Sequence, residues 1–213
     1  MELYLIRHAQ SANNANPVTQ RVSDPPLTDL GKEQARYLAE WITSRRLTKL
    51  ISSPFRRALQ TADYIRAATG LTAEVRIQLH EQGGCYSGYL PWARTGEPGL
   101  TREEIERQFP EFDIEPALDG EGWWQRRPYE RRDDARKRAG DLLQRTRDEF
   151  ALSSERVAFV MHADIKVLLL EHFHSEALDP PYNACITRVS IAPNELHLIE
   201  YNQVAHLPTR LIT

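Results

Sequence analysis

The chain has 213 residues, which is enough for one sizeable hydrophobic core. This length gives no strong reason to expect two domains. Its 27 basic and 30 acidic residues leave a formal net charge of -3, which excludes the global basic surface that favours nucleic-acid or anionic-membrane partners. Cys85 and Cys185 have no CxxC spacing and are too few for a disulfide framework, so we expect both to be ordinary packing residues.

The first third of the chain alternates predicted strands and helices. An apolar run at residues 3–6 is followed by GKEQARYLAEWITSRR, whose apolar residues recur at helical spacing. A short strand at 49–52, a helix that starts after Pro54 and ends at Gly70, and a strand at 74–78 come next. This order is typical of βαβ units.

Residues 82–132 have a different character. This segment is rich in glycine and proline, contains Trp92, Trp123 and Trp124, and shows little sustained periodicity. Long loops inside a compact domain are uncommon unless they are functional. We therefore predict an irregular insertion or lid within one domain that spans residues 1–213.

The last third returns to regular patterns. DDARKRAGDLLQRTRDEF predicts an amphipathic helix, and VAFVMH repeats the apolar-run-to-histidine pattern of the amino terminus. DIKVLLLEHF has the apolar density of a helix packed on a sheet. Two strands, ITRVSIA and LHLIEYN, are separated by Pro193, Asn194 and Glu195 and predict a hairpin.

These elements predict an α/β fold with a mostly parallel central sheet and helices on both faces. In such folds the site lies at the carboxyl ends of the strands. Arg7 and His8 end the first strand and His162 ends a later one, so residues far apart in the chain are expected to meet in one crevice. No apolar run reaches the roughly 18 residues of a membrane span, and MELYLIRH has no basic region before its short apolar stretch, so we expect a soluble cytoplasmic protein.

Five residues at strand ends or first helical turns suit phosphoryl transfer. Two arginines can hold a phosphate by bidentate hydrogen bonds, a neutral imidazole can attack phosphorus, and a protonated carboxyl can protonate a departing alkoxide. No metal or organic cofactor is required. A metal site is the other use of two histidines and a carboxylate, but adjacent arginines oppose a divalent cation. The five residues are Arg7, His8, Arg57, Glu81 and His162.

The chain resembles the histidine phosphatase superfamily, whose members are phosphoglycerate-mutase-like proteins with a three-layer α/β/α fold. RHAQSANN is similar to the family's opening motif, DPPLTDLGKEQA to its second stretch, and SPFRRALQTA, LHE and VMHA to the later ones. The resemblance implies catalytic roles for His8, Glu81 and His162, with His8 as the phosphorylated nucleophile. It also implies phosphate binding by Arg7, Asn14 and Arg57, the last rather than its neighbour Arg56.

Some positions depart from the family pattern. Ala9 and Ala163 replace the glycine that usually follows each histidine, and Gln10 and Ser11 replace a Glu-Thr pair. An added methyl group so close to the site is expected to narrow it. The charged residues are all retained, which favours an active enzyme of the histidine acid phosphatase type.

Three functions fit the resemblance. Phosphoglycerate mutases of the family carry Glu-Arg-His-Tyr-Gly from the acid onward, whereas this chain has EQGGC from Glu81, which favours a phosphatase acting on a small phosphorylated metabolite. The first alternative is a mutase with a rearranged substrate clamp. The second is a catalytically weak phosphate-binding protein on the same fold, although binding alone needs no nucleophile and acid. A homodimer is left open.

The insertion is expected to select the substrate. We predict that Trp123, Arg126 and Arg127 contribute to a lid over the organic part of the ester. The competing interpretation is that the tryptophans anchor the insertion to the core and the arginines balance nearby acids. Alternation along the preceding strand points His80 away from the site.

Overall fold

The computed structural model describes residues 1–118, 120–193 and 195–213, so Asn194 of the predicted hairpin lies outside the described residues. The strands are β1 Glu2–Arg7, β2 Lys49–Ser52, β3 Ala73–Val75, β4 Tyr86–Ser87, β5 Thr95–Gly96, β6 Phe112–Ile114, β7 Arg156–Met161, β8 Ile186–Ile191 and β9 Leu196–Gln203. The helices are α1 Ala12–Ala15, α2 Asp29–Ile42, α3 Arg56–Thr69, α4 Arg102–Gln108, α5 Arg132–Phe150 and α6 Ala163–Leu170.

Seven strands form one central sheet in the order β6-β3-β2-β7-β1-β8-β9. Strands β6, β3, β2, β7 and β1 are parallel, and β8 and β9 continue the sheet in antiparallel pairs. The predicted α/β fold with a mostly parallel sheet is confirmed, and so is the pairing of the last two strands. β1 lies inside the sheet between β7 and β8, which explains its continuous apolar run.

Alternate residues of β1 enter two separate cores. Tyr4 and Ile6 pack with α2 and α3 on one face of the sheet, whereas Leu3 and Leu5 pack with α5 and α6 on the other. Successive strand side chains point to opposite faces, so a strand covered on both sides must be apolar at every position. In the part of the chain that the structure describes, none of the helices combines the length and apolarity that a bilayer crossing requires.

Helix α2 packs directly on the loop that follows the first strand. It begins two residues before the predicted start, because the Thr28 hydroxyl accepts a hydrogen bond from Gly31 N at 3.0 Å and caps the helix. A Cβ atom at Gly31 would overlap the carbonyl oxygen of Gln10. Glycine at this position therefore lets the helix backbone approach the loop that carries the residues after His8.

The segment 82–132 is more regular than expected. β4 and β5 form a two-stranded sheet, α4 is a capped helix, and β6 pairs in parallel with β3 at the edge of the central sheet. The predicted strand 74–78 is correspondingly short, because β3 ends at Val75 and a 3-10 turn, Ile77–Leu79, follows. Strands of two or three residues are too short to produce a readable period in the sequence.

Candidate active site

His8 and His162 lie side by side at the carboxyl ends of adjacent parallel strands. β1 ends at Arg7 and β7 at Met161, and these two residues are partners in the strand register. The residue after each strand is a histidine, and the two imidazole rings pack edge to face with centroids 4.9 Å apart. The two histidines therefore meet, as the strand-end rule predicts.

The His8 ring is held by one hydrogen bond on each nitrogen. Nδ1 lies 2.7 Å from the carbonyl oxygen of Ala9, so we assign the proton to Nδ1. Nε2 is then the unprotonated nitrogen, and it accepts a hydrogen bond from Arg57 Nε at 3.1 Å. Burial, followed by the positive charges of Arg57 and Arg7, holds the pKa of His8 well below its ordinary value. His8 is thus a neutral imidazole whose Nε2 faces an arginine.

Two arginines present free donors beside His8. Arg57, in the first turn of α3, stacks on the Phe55 ring at 4.0 Å, and its Nη1 lies 3.8 Å from Asp24 Oδ1. Arg7 donates through Nη1 to the carbonyl oxygen of Pro181 at 2.5 Å. Among the described residues, Arg57 Nη1 and Arg7 Nε are buried without a hydrogen-bond acceptor. Such donors cost free energy unless an acceptor reaches them, which suits an anionic ligand.

His162 lies behind His8 rather than in contact with the open cavity. Its Nε2 is paired with Ser53 Oγ at 2.7 Å, and its ring packs against Phe55 with centroids 5.0 Å apart. Burial, followed by the charge of Arg57 and the neighbouring His8, holds the pKa of His162 well below its ordinary value. A second neutral imidazole therefore supports the first one and fixes its position.

Glu81 reaches the site from the turn after β3 and lies at the amino terminus of α6. Its Oε1 accepts from Gln82 N at 2.9 Å and from Ile165 N at 3.1 Å, and its Oε2 lies 3.3 Å from Asp164 N. Burial raises the pKa of Glu81, and the nearby Asp164 carboxylate raises it further. The hydrogen bonds from Gln82 and Ile165 and the charge of Arg57 act in the opposite direction, but the pKa of Glu81 is raised above its ordinary value, which favours the form that can donate a proton.

Asn14 is oriented by its neighbours. Its Oδ1 accepts from Ser11 N at 3.0 Å and from Ser11 Oγ at 2.9 Å, and lies 3.3 Å from Asn183 Nδ2. Asn183 also donates to the His8 carbonyl oxygen at 3.3 Å. Because Oδ1 is engaged, the amide nitrogen of Asn14 is the group available to a phosphate oxygen.

Most of these groups open into one cavity of about 350 Å³. Its lining contains the side chains of Arg7, His8, Asn14, Arg57 and Glu81, but not His162. A larger cavity of about 690 Å³ lies next to it and carries four carboxylates against two guanidinium groups. These groups are Asp24, Glu97, Glu104, Glu121, Arg56 and Arg126. The excess of carboxylates disfavours phosphate there, so the smaller cavity is the candidate active site.

The three residues predicted to form a lid lie outside the smaller cavity. Trp123 is 1% exposed and packs edge to face on Phe55 with centroids 4.7 Å apart. Arg126 lines the larger cavity 3.9 Å from Glu97 Oε2, and Arg127 lies over the Trp124 ring at 5.9 Å. Trp123 therefore anchors the insertion to the core, and the competing interpretation of the tryptophans fits this placement; the lid role of the three residues stays a prediction.

The two alanines that replace the family's glycines differ in their surroundings. Ala9 is fully buried in the core beside α2 and α3, and its backbone N donates to Thr61 Oγ1 at 3.1 Å. Ala163 lines the cavity beside Asp164. The expected narrowing therefore applies to Ala163 and not to Ala9.

Several residues that complete the site carry no recognisable signal in the sequence. Asn183 and Pro181 come from the loop before β8, and Tyr86, Arg94 and Tyr129 come from the segment predicted to be irregular. Ser53 is the exception, since it precedes the proline of a quoted motif, SPFRRALQTA. Its bond to His162 requires the parallel pairing of β2 with β7.

We expect Arg57→Lys to lower kcat/KM about 10²-fold, nearly as much as Arg57→Ala. An ammonium group cannot stack on Phe55 and donate at two fixed positions, and each hydrogen bond to a charged group contributes about 1.5–3 kcal/mol. Steady-state phosphate release from a phosphomonoester provides the measurement. Arg56→Lys is the matched control, because Arg56 lines the other cavity and pairs with Gln108. Near-normal activity of Arg57→Lys would remove the bidentate assignment.

Comparison with known proteins gives the family. The model of the histidine phosphatase superfamily (branch 1) matches residues 3–204, and the chain therefore belongs to this superfamily. A curated relative, named a probable phosphoglycerate mutase GpmB of Yersinia pestis, is 38% identical over 81 residues. That match covers 38% of this chain and 38% of the relative, so well under two thirds of the relative's length is matched.

Solved structures share the fold over nearly the whole chain. Bacillus stearothermophilus YhfR superposes with a TM-score of 0.70 at 24% identity and covers 96% of this chain and 98% of its own. A mycobacterial glucosyl-3-phosphoglycerate phosphatase with VO3 has a TM-score of 0.65 at 22% identity, covering 95% and 99%. A phosphoserine phosphatase mutant from Entamoeba histolytica with phosphoserine has 0.63 at 21%, covering 97% and 99%. At these identities the likeness shows the fold.

Proposed function

We propose that this member of the histidine phosphatase superfamily hydrolyses a small phosphomonoester through a phosphohistidine intermediate on His8. The observation that carries the proposal is one cavity that holds the unprotonated Nε2 of His8, two arginines and the Glu81 carboxyl. Burial and the two arginines hold the pKa of His8 well below its ordinary value, while burial and Asp164 raise the pKa of Glu81. The reaction starts from an unprotonated nucleophile and a protonated general acid.

In the first step, His8 Nε2 attacks phosphorus and the bond to the ester oxygen breaks. Glu81 gives its proton to the departing oxygen, so the alcohol leaves neutral. Arg7 and Arg57 hold the non-bridging oxygens and balance the charge that spreads over them. Arg57 already touches Nε2, so a phosphate that takes over the donors of this arginine is brought directly to the nucleophile.

In the second step, water attacks the phosphorus and the bond to Nε2 breaks. The Glu81 carboxylate left by the first step accepts the proton of that water and is restored to its acid form. Asn14 is assigned to the phosphate through its amide nitrogen, and His162 to the positioning of His8. Each group therefore returns to its starting state after one turnover.

A mutase is the second candidate, because the relative with 38% identity is named a probable phosphoglycerate mutase. The residues after Glu81 argue against it, since Gln82, Gly83, Gly84 and Cys85 offer none of the charged or ring groups of the mutase motif. A weak phosphate-binding protein is the third candidate. A protein that only binds phosphate has no use for an unprotonated His8 Nε2 beside a carboxyl whose pKa is raised.

One labelling experiment separates the three functions. The protein is mixed with a series of phosphomonoesters labelled with radioactive phosphate, quenched, and assayed for acid-labile protein label and for free phosphate. A phosphatase gives transient label on His8 and stoichiometric free phosphate. A mutase gives label but transfers it to an isomeric ester, and a binding protein gives neither label nor phosphate. The last result, with folded protein, rejects the proposed enzyme.

We expect activity to survive EDTA. The arginines already supply the positive charge that a divalent cation otherwise brings to phosphoryl transfer. Within the described residues, no three His, Cys, Asp or Glu side chains are grouped as a metal site. Phosphate release before and after dialysis against chelator provides the measurement. Loss of activity that one added divalent metal restores would overturn this expectation.

We propose a reducing compartment such as the cytoplasm as the location of the protein. Cys85 and Cys185 are both free and buried, and free thiols are the state that a reducing compartment maintains. The proposed partner is a small phosphorylated metabolite rather than a nucleic acid. A homodimer remains a proposal that sedimentation of the purified protein can test.

A further inference from the structure

Arg94 enters the candidate active site from the hairpin between β4 and β5. It lies directly after a 3-10 turn, Pro91–Ala93, and lines the same cavity as His8. None of the reaction steps above uses it. Arg94 belongs to the segment 82–132. Arg7 and Arg57, which hold the scissile phosphate, come from other parts of the chain.

Two tyrosines hold the Arg94 guanidinium in place. Its Cζ lies 4.0 Å from the ring centroid of Tyr129 and 5.5 Å from that of Tyr86. The two rings pack edge to face with centroids 4.9 Å apart, and the Tyr129 hydroxyl accepts from Gln82 Nε2 at 3.1 Å. An arginine stacked on fixed rings loses little side-chain entropy when it binds a ligand.

The charge of Arg94 is not neutralised by the protein. In the described residues Arg94 forms no salt bridge, and its Nε is buried without a hydrogen-bond acceptor. By contrast, Arg126 on the other side of the hairpin faces Glu97 at 3.9 Å. Stacking on an aromatic ring does not satisfy an N–H donor. The buried Nε–H of Arg94 is therefore a donor for which the described residues provide no acceptor.

The cavity is more cationic than one phosphate group requires. Four guanidinium groups line it, against one carboxylate and one carboxyl whose pKa is raised. These are Arg7, Arg21, Arg57 and Arg94, with Asp164 and Glu81. A phosphomonoester carries about two negative charges, which Arg7 and Arg57 balance. Arg21 and Arg94 remain against the single carboxylate of Asp164, so one positive charge is left for another group, and Arg94 is the arginine held by stacked rings.

We propose that Arg94 binds a second anionic group of the substrate, a carboxylate or a second phosphate, and so selects for esters with two anionic ends. The planar guanidinium matches either group in a bidentate pair. A cavity of about 350 Å³ is large enough for a small molecule that spans both ends. The inference rests on the proposed phosphatase function and adds the chemical class of its substrate.

Three esters of one carbon skeleton test the inference. They are propyl phosphate, 3-phosphooxypropanoate and propane-1,3-diyl bisphosphate, which differ only in having a methyl group, a carboxylate or a phosphate at the far end. We expect kcat/KM for one or both anionic esters to exceed that for propyl phosphate by about 10- to 10²-fold, the factor that one charge-assisted pair supplies. The better of the two anionic esters identifies the preferred group.

Arg94→Gln should remove this preference, so that kcat/KM for the preferred anionic ester falls by about 10- to 10²-fold more than kcat/KM for propyl phosphate. Activity on propyl phosphate also shows that the variant is folded. Arg94→Lys should keep part of the preference, because lysine keeps the positive charge but not the planar bidentate geometry of the guanidinium. Arg45→Gln is the matched control, since Arg45 stacks on Trp41 at 3.9 Å near the amino-terminal end of β2, away from the cavity. This control should keep the full preference.

Two results would overturn the inference while leaving the phosphatase intact. One is a wild-type protein that hydrolyses all three esters with similar kcat/KM. The other is an Arg94→Gln variant that loses the same factor with all three, which would place Arg94 at the scissile phosphate or in the fold. Failure of every ester to release phosphate or to label His8 would instead reject the proposed function, and the inference with it.

Discussion

His8→Ala is expected to lower kcat by about 10⁴- to 10⁶-fold, the size of effect seen when a nucleophile is removed from a unit of cooperating residues. His162 is poorly placed to replace Nε2, because its own Nε2 is bonded to Ser53 and its ring does not line the cavity. Single-turnover phosphate release measures the loss. The acid-labile protein label should vanish in the same samples.

Phosphate binding should persist in the same variant. Arg57 loses its hydrogen bond to His8 Nε2 but keeps its contacts with Phe55 and Asp24, and Arg7 keeps its bond to the Pro181 carbonyl. Calorimetric titration with inorganic phosphate distinguishes loss of chemistry from loss of the pocket. His197→Ala, at an exposed position on β9, is the control histidine and should behave as wild type. Substantial label or turnover in His8→Ala would assign the nucleophile elsewhere.

Glu81→Gln is expected to slow the cleavage of alkyl esters by about 10²- to 10⁴-fold, the usual contribution of a general acid. An alkyl phosphate expels a strongly basic alkoxide that needs a proton, whereas a nitrophenyl phosphate expels a weakly basic phenolate that hardly needs one. The nitrophenyl ester should therefore lose far less. Release of the alcohol in the pre-steady state is the phase to measure, because slow hydrolysis of phosphohistidine can hide the first step.

Asp164→Asn is the matched control for Glu81→Gln. Gln82→Glu, at the neighbouring position, is unsuitable because it adds a charge to the site. Asp164 raises the pKa of Glu81 and contacts it only through its backbone N, so its removal should shift the pH profile without abolishing the acid. Equal losses with both esters in Glu81→Gln would remove Glu81 from the role of acid.

The pH dependence follows from the same two groups. The active form has neutral His8 and protonated Glu81. The acid limb of the profile reports His8, whose pKa is lowered, so activity should fall only well below pH 6.5, the ordinary pKa of histidine. The basic limb reports Glu81, whose pKa is raised, so this limb should lie above 4.5, the ordinary pKa of glutamic acid. Glu81→Gln should flatten the basic limb of the kcat profile. A profile of kcat with no acid limb at any accessible pH remains consistent with a strongly lowered His8 pKa, whereas an acid limb above 6.5 contradicts it.

Much of the framework could be predicted from the sequence, because it depends on local spacing. The period of apolar residues identified α2, α3, α5 and the strands around the site, and the position of Arg7, His8 and His162 at strand ends placed them in one crevice. The His80 ring packs against Trp123 and Trp124 and does not line the cavity, but His80 follows a 3-10 turn, so strand alternation is not the reason for its direction. Strand alternation and the strand-end rule are both properties that a linear pattern records.

The sequence alone therefore indicated the family and the mostly parallel sheet, and it supplied the residues that we propose as nucleophile, phosphate ligands and acid, since each is carried by a short motif of neighbouring residues. Only the tertiary structure raised the pKa of Glu81, because the shift depends on burial and on Asp164, more than eighty residues later in the chain. It also placed Trp123 in the core and Arg94 between Tyr86 and Tyr129. Burial, pKa and contact between distant segments arise only when the chain folds, because they depend on which elements exclude water from a group and not on the group's neighbours in sequence.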